Sequence, residues 1–268
     1  MLPSITLAYT TEGTLDQRMD AIAGAGFGAI NLPSDQCRHL ICSGLAVTRE
    51  FKAAIRKRNL VVDWVHAPFR VPVLYDAGHD NYPLSVATAK TAIQVAAEIE
   101  AGSVVLHPFD KNFPADIDHA DRIDQLTRTL SILVEFGEAH SVRVAVENID
   151  EPYSQKILTV LFTRIDDLSF CFDTGHAHLW ASWDAYLPRF ADRLTALHIH
   201  DNNGEADEHL IPGDGAIDFV RLVKLLKACG YAGYLGLECA QGICGFPGER
   251  DELAHCVWQR VQDILTAS

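Results

Sequence analysis

Arg143-Val144-Ala145-Val146-Glu147-Asn148 is a short β-rich run that ends on a carboxylate. A helical segment follows at Gln155–Phe162, and a second apolar run, Ser169–Phe172, then ends on Asp173. Strand, helix, strand with a polar terminus is the signature of parallel pairing, because a parallel neighbour needs a crossover of a dozen or more residues. The same unit recurs along the chain. Strands are predicted at Ser4–Ala8, Ala29–Leu32, Leu60–Val65, Ser103–Leu106, Arg143–Val146, Ser169–Phe172, Leu194–Leu197 and Tyr234–Leu237. Helices are predicted at Leu15–Ala25, Thr48–Arg58, Leu84–Ala101, Ile123–Ala139, Gln155–Phe162, Trp183–Phe190, Phe219–Cys229 and Glu249–Leu265. Apolar residues in these helices recur at three- and four-residue steps, as in Ile123, Leu126, Leu130, Leu133 and Val134. Gly102 and Gly230 read as helix stops.

Eight such alternations predict a single (β/α)8 barrel over residues 1–268, a length close to the roughly 250 residues such barrels use. An open doubly wound sheet is the alternative. Against it, the first βα turn, Tyr9-Thr10-Thr11-Glu12-Gly13, lacks a glycine-rich phosphate loop.

The residues that follow the strands carry the chemistry. The third strand is followed by His66, the fourth by His107, the fifth by Glu147, the sixth by Asp173, the seventh by His198 and the eighth by Glu238. In a barrel these positions converge on one mouth, where active sites lie. Imidazoles and carboxylates gathered there without a compensating cation would be costly to desolvate. A divalent metal removes that cost, and the mixed nitrogen and oxygen donors suit zinc first, then manganese or cobalt, ahead of calcium or magnesium. Further candidates are His176, three residues after Asp173, and Asp207 and His209 in the loop after the seventh strand. His200 is in phase with His198 along the strand and reads as a group behind the ligands or against substrate. Asp201 is either a ligand-orienting group or a loop cap.

The motifs Val65-His66-Ala67-Pro68, Leu106-His107-Pro108, Val146-Glu147-Asn148, Phe172-Asp173-Thr174-Gly175-His176, His198-Ile199-His200-Asp201-Asn202 and Asp207-Glu208-His209 resemble those of a known family. These are the xylose-isomerase-like barrels, which group sugar isomerases and epimerases with endonucleases of the endonuclease IV type. The resemblance spans the whole chain. For the isomerase branch it implies one metal on Glu147, Asp173, His198 and Glu238. For the endonuclease branch it implies three ions: one on His66, His107 and Glu147, one on Glu147, Asp173, His198 and Glu238, and one on His176, Asp207 and His209. Every one of these positions carries a residue of the right type.

The expected function is a divalent-metal-dependent isomerase or epimerase of a small sugar, sugar phosphate or related polyol ketone, working through a metal-stabilised enediolate. Glu147 and Glu238 would move the proton, with one to three ions per chain. The alternative is a multinuclear zinc phosphoester hydrolase. No nucleic-acid partner is expected. The net charge is −14, and the mouth loops at residues 10–13, 33–39 and 240–246 hold few cations to neutralise phosphates. Seven cysteines without CxxC spacing read as reduced thiols, with Cys171 and Cys229 expected to be buried. Neither a membrane span nor an export signal is read from the sequence, which leads to a cytoplasmic expectation and leaves homo-oligomerisation open.

Overall fold

The strands that end on polar residues come together because their side chains alternate. In the computed structural model, which describes residues 1–69, 73–109, 120–149, 153–180 and 183–268, the elements run β1 (Pro3–Thr6), α1 (Leu15–Ala25), β2 (Ala29–Leu32), α2 (Ser34–Ser43), α3 (Leu45–Lys57), β3 (Val61–His66) and α4 (Tyr82–Glu98). They continue with β4 (Ser103–Leu106), α5 (Ala120–Glu138), β5 (Arg143–Glu147), α6 (Ser154–Arg164), β6 (Ser169–Asp173), α7 (Thr174–Trp180) and α8 (Trp183–Phe190). The last are β7 (Leu194–His198), α9 (Phe219–Ala228), β8 (Leu235–Leu237), α10 (Gln241–Cys244) and α11 (Arg250–Ala267).

All eight strands are parallel and pair in the order β7-β6-β5-β4-β3-β2-β1-β8. The ring is drawn shut just past the strand ends. There the Ile199 N–H donates to the Gly236 carbonyl at 2.7 Å, and the Glu238 N–H donates to the Ile199 carbonyl at 3.0 Å. The result is a single (β/α)8 barrel.

Two apolar layers follow from the alternation. Val104, Val144, Val146, Phe170, Phe172 and Leu197 face the helices and join the main core. Trp64, Val105, Ala145, Cys171 and Ala196 form a separate cluster inside the barrel. Two residues beyond each of these interior residues stands His66, His107, Glu147, Asp173 or His198. Successive strand residues point to opposite faces, so each of these polar groups must reach into the barrel mouth.

Strand β3 needs a correction to keep this phase. Ile30 pairs with Val62 but Leu32 pairs with Val65, so β3 carries one extra residue. That bulge leaves both Val62 and Val65 facing the helices and turns Trp64 and His66 inward. Trp64 is fully buried, and its Nε1–H donates to the Leu197 carbonyl at 3.2 Å. Its bulk is matched by small neighbours. A Cβ on Gly236 would overlap the Leu197 carbonyl and lie 2.6 Å from Trp64 Nε1.

Other expectations are adjusted by the structure. The segment 33–39, read as a loop, begins helix α2, which buries Cys37 and Leu40 one turn apart. The helix expected at Thr48–Arg58 begins at Leu45, after Gly44 breaks the chain direction with φ 84°. Strand β1 stops at Thr6 rather than at Ala8, where the chain turns and the Tyr9 N–H donates to the Thr6 carbonyl. Gly102 is not the stop after α4, because Glu100 takes the left-handed conformation at φ 62°. Gly230 does serve that purpose after α9, with φ 76°. Cys171 is buried as expected, whereas Cys229 is only half-buried. Among the described residues, no helix is long and apolar enough to cross a membrane.

Closure around Trp64 should depend on the missing side chain at position 236. Gly236→Ala is expected to lower stability by about 1–3 kcal/mol, the usual range for overpacking a tight core. Urea unfolding checks this, and an unchanged midpoint would contradict the closure described.

Candidate metal centre

Glu147 stands at the centre of the barrel mouth with its carboxylate 2% exposed. Its Oε2 lies 3.3 Å from His66 Nε2, 3.2 Å from His107 Nε2 and 3.2 Å from His198 Nδ1, and its Oε1 lies 3.2 Å from His176 Nδ1. Despite that crowding, Oε2 has no properly directed hydrogen bond. Both ring nitrogens of His198 and Asp207 Oδ1 are buried in the same condition. Close approach without hydrogen-bond direction is what donor atoms show when arranged around a cation.

The histidine tautomers support the same reading. Carbonyl oxygens only accept, so His66 Nδ1 donates to Ala67 O at 2.8 Å, His176 Nδ1 to Asn148 O at 2.9 Å and His209 Nδ1 to Glu238 O at 2.9 Å. Each ring therefore aims its Nε2 at a carboxylate: His66 at Glu147, His176 at Asp207 (3.5 Å) and His209 at Asp207 (3.1 Å). A lone pair facing a carboxylate needs a proton or a metal ion between them.

Donor atoms within 4.8 Å of one another form four groups: His66, His107 and Glu147; Glu147, Asp173 and His176; Asp173, His198 and Glu238; and His200, Asp207 and His209. Zinc, manganese or cobalt fits these imidazole and carboxylate sets. The third implied set is brought together at Asp207 Oδ2, which lies 3.5 Å from His176 Nε2 and 3.1 Å from His209 Nε2. His200 forms a further group with Asp207 and His209, and His176 also groups with Glu147 and Asp173.

The Asp173-Thr174-Gly175-His176 turn is legible residue by residue. Asp173 Oδ1 accepts the His176 N–H at 2.7 Å, which caps α7, while its Oδ2 faces His200 Nε2 at 3.1 Å. Thr174 Oγ1 donates to the His200 carbonyl at 2.7 Å and accepts the His200 N–H at 3.1 Å, so the β6–β7 ladder continues past the strands. Asn148 does the same for β5 and β6, donating to Asp173 O and accepting from Asp173 N at 2.9 Å. A Cβ on Gly175 would overlap the His200 ring. Of the two expectations for Asp201, its contacts match the loop cap. It accepts the N–H groups of Asn202, Gly213, Gly215 and Ile217 and thereby folds the loop that presents Asp207 and His209.

Three residues escaped the sequence reading. Trp64 packs under His198 at 4.4 Å between ring centroids. Phe69 stacks on His107 at 4.5 Å and 20°. Asn148, adjacent to Glu147, was visible in the sequence as an amide in a buried run. The centre opens into a cleft of about 430 Å³ lined also by Thr6, Pro33, Asp35 and Ala240.

A family model described as "Xylose isomerase-like TIM barrel" matches residues 19–255. The chain belongs to that family. An uncharacterized protein of Methanocaldococcus jannaschii is 28% identical over 248 residues, covering 87% of this chain and 81% of that one. A fructoselysine 3-epimerase of Escherichia coli O157:H7 is 37% identical over 163 residues, 56% of each chain. A probable endonuclease 4 of Lysinibacillus sphaericus is 29% identical over 179 residues, 58% of each chain. Among solved structures, the IOLI protein with a binding zinc atom superposes with a TM-score of 0.82 at 15% identity, covering 99% of this chain and 98% of that one. That structural likeness speaks for the fold.

Electrostatics at the mouth of this xylose isomerase-like barrel favour ionised carboxylates beside protonated imidazoles. Burial pushes Glu147 upward, but His198 and His107 outweigh it and hold the carboxyl well below its ordinary range. Burial opposes protonation of His209, yet Asp207 and Glu238 raise it to about 9. His176 is raised well above its ordinary value, with burial overcome by Asp173, Asp207 and Glu147. For His198, burial is overcome by Cys171, Glu147 and Glu238. The Cys171 thiol is itself pushed up to about 12 by burial and stays neutral, so the two carboxylates carry that effect.

In the metal-free protein, protons on these imidazoles balance the carboxylates. Because their folded values are raised, the stability they contribute is full below the unfolded value of about 6.5 and is lost as pH rises through about 9 for His209. An incoming divalent ion must displace those protons. Zinc or manganese binding at pH 7 is expected to release protons and to tighten as pH rises toward 9. Calorimetry in buffers of different ionisation enthalpy checks this, and binding without proton release would contradict protonation of these imidazoles in the metal-free protein.

Proposed function

We propose that this xylose isomerase-like barrel is a divalent-metal-dependent isomerase or epimerase of a small sugar, a sugar phosphate or a related polyol ketone. The observation that carries the reading is a pair of carboxylates on one imidazole. Glu147 Oε2 from β5 and Glu238 Oε2 beyond β8 approach His198 Nδ1 at 3.2 and 3.4 Å. The ion held by Glu147, Asp173, His198 and Glu238 would supply Lewis acidity, polarising a carbonyl and its neighbouring hydroxyl and so acidifying the C–H between them.

The two glutamates divide the proton work. The Glu238 side chain is 15% exposed at the cleft, and among the described histidines its carboxylate pairs with His198 alone, so its Oε2 is the accessible base for the substrate carbon. Glu147 is enclosed by four imidazoles and held ionised, which suits it to fix the ligand ring; protonated by one of those imidazoles, it would return a proton to the carbon from the opposite face, while Glu238 passes the one it removed to solvent. Asp173, capped on one oxygen and held by His200 on the other, keeps its position without substrate. The fructoselysine 3-epimerase relative supports this class of reaction.

A second reading, phosphoester hydrolysis on several ions, is favoured by the donor groups a single-metal isomerase does not need: His66 with His107, and His200, Asp207 and His209. The endonuclease 4 relative supports it. A long DNA substrate fits poorly with 36 acidic against 22 basic residues, so no nucleic-acid partner is proposed.

Solvent deuterium exchange into a panel of ketoses separates the two. Exchange is expected for the wild type with at least one ketose. Glu238→Gln should reduce it by about 100-fold or more, the usual contribution of a positioned base, while His209→Ala should retain most of it. Hydrolysis of a small phosphoester, abolished by His209→Ala and accompanied by no exchange with any ketose, would replace the isomerase reading with the hydrolase one.

A further inference from the structure

Behind the catalytic cleft lies a second chamber of about 380 Å³. Its walls are largely aliphatic, formed by Ile41 of α2, Ala67 and Pro68 after β3, Leu74, Ala89 of α4 and Leu106 of β4. Two residues belong to both spaces, Phe69 and His107. The Phe69 ring, 36% exposed, lies flat on His107 and meets His66 at 5.1 Å, so it forms the partition between the ion-binding groups and the chamber. Leu84 stands at the chamber with 61% of its surface exposed. Arg38, the one Lys or Arg lining it among the described residues, is already paired with Asp35 at 3.0 Å.

The two spaces differ in the chemistry they can recognise. The cleft offers carboxylates and imidazoles that suit hydroxyl and carbonyl oxygens. The chamber is mostly apolar, the Ser85 hydroxyl on its wall being engaged by Val73 N and Asn81 O and Thr88 adding a second hydroxyl, so it would gain most from displacing water with apolar surface. A free hexose, polar all round, can use only the first. We propose that the substrate is a hydroxylated ketone carrying an apolar substituent, with the hydroxylated part in the cleft and the substituent in the chamber beside Phe69. This names the substrate class for the sugar reading above and rests on it.

The test compares mono-O-benzyl and mono-O-methyl derivatives of D-fructose by calorimetry on the metal-loaded protein, with benzyl alcohol as a probe of the chamber alone by ligand-observed NMR. At least one benzyl derivative is expected to bind tenfold or more tightly than its methyl counterpart, since burying even one methylene discriminates by about tenfold or more. Thr88→Phe, which fills the chamber from α4, should erase that gain and displace benzyl alcohol while leaving methyl-derivative binding and metal content unchanged. Leu84→Asp, at an exposed position, should weaken the gain without burdening the fold. Equal binding of the two derivatives, or a benzyl preference that survives both variants, would overturn the proposal. If no fructose derivative binds but benzyl alcohol still occupies the chamber and is displaced by Thr88→Phe, the sugar reading fails and the apolar substituent class stands. If benzyl alcohol does not bind either, the chamber proposal fails.

Discussion

A single carboxylate oxygen, Glu147 Oε2, governs the architecture of this barrel mouth. It is buried, faces three ring nitrogens within 3.3 Å, and has no directed hydrogen bond. An ionised group in that position is tenable only with positive charge beside it, supplied by a metal ion or by protons on the imidazoles. The surrounding structure holds those partners in place. Trp64 supports His198 from inside the barrel, and Gly236 leaves room for Trp64 while β8 closes on the far side. Asn148 and Thr174 replace strand pairing where the backbone ladder ends, so that Asp173 and His200 are held as firmly as residues within the sheet.

The same constraint links stability to function. The neighbouring carboxylates raise His176, His198 and His209 above the ordinary imidazole value, so protonated imidazoles offset part of the negative charge gathered at the mouth. A divalent ion held there would supply the same positive charge in place of those protons. Glu238, at the edge of that cluster and open to the cleft, is the carboxylate left with access to a substrate carbon.

Much of this was legible in the sequence because strand alternation is so regular. A polar residue two positions after an interior Ala145, Cys171 or Ala196 must enter the barrel, whatever the helices outside do. The Asp173-Thr174-Gly175-His176 turn was equally readable, since each residue has a separate geometric duty. What escaped depended on contacts between distant segments. The β3 bulge that turns Trp64 inward arises from pairing with β2 and leaves no local mark. Helix α2 follows a proline and buries little beyond Cys37 and Leu40, so its pattern is faint. The place of His200 beside Asp207 and His209, and the four backbone donors on Asp201, are set by how the loop 202–217 folds back, which spacing alone does not fix.

The central claim is that these carboxylates and imidazoles converge because they hold a divalent cation. Elemental analysis of protein purified without chelator tests it most directly. The account predicts at least one zinc, manganese or cobalt ion per chain, removed by a strong chelator and regained on dialysis. Protein that carries no ion and takes none up when zinc, manganese and cobalt are supplied would contradict it.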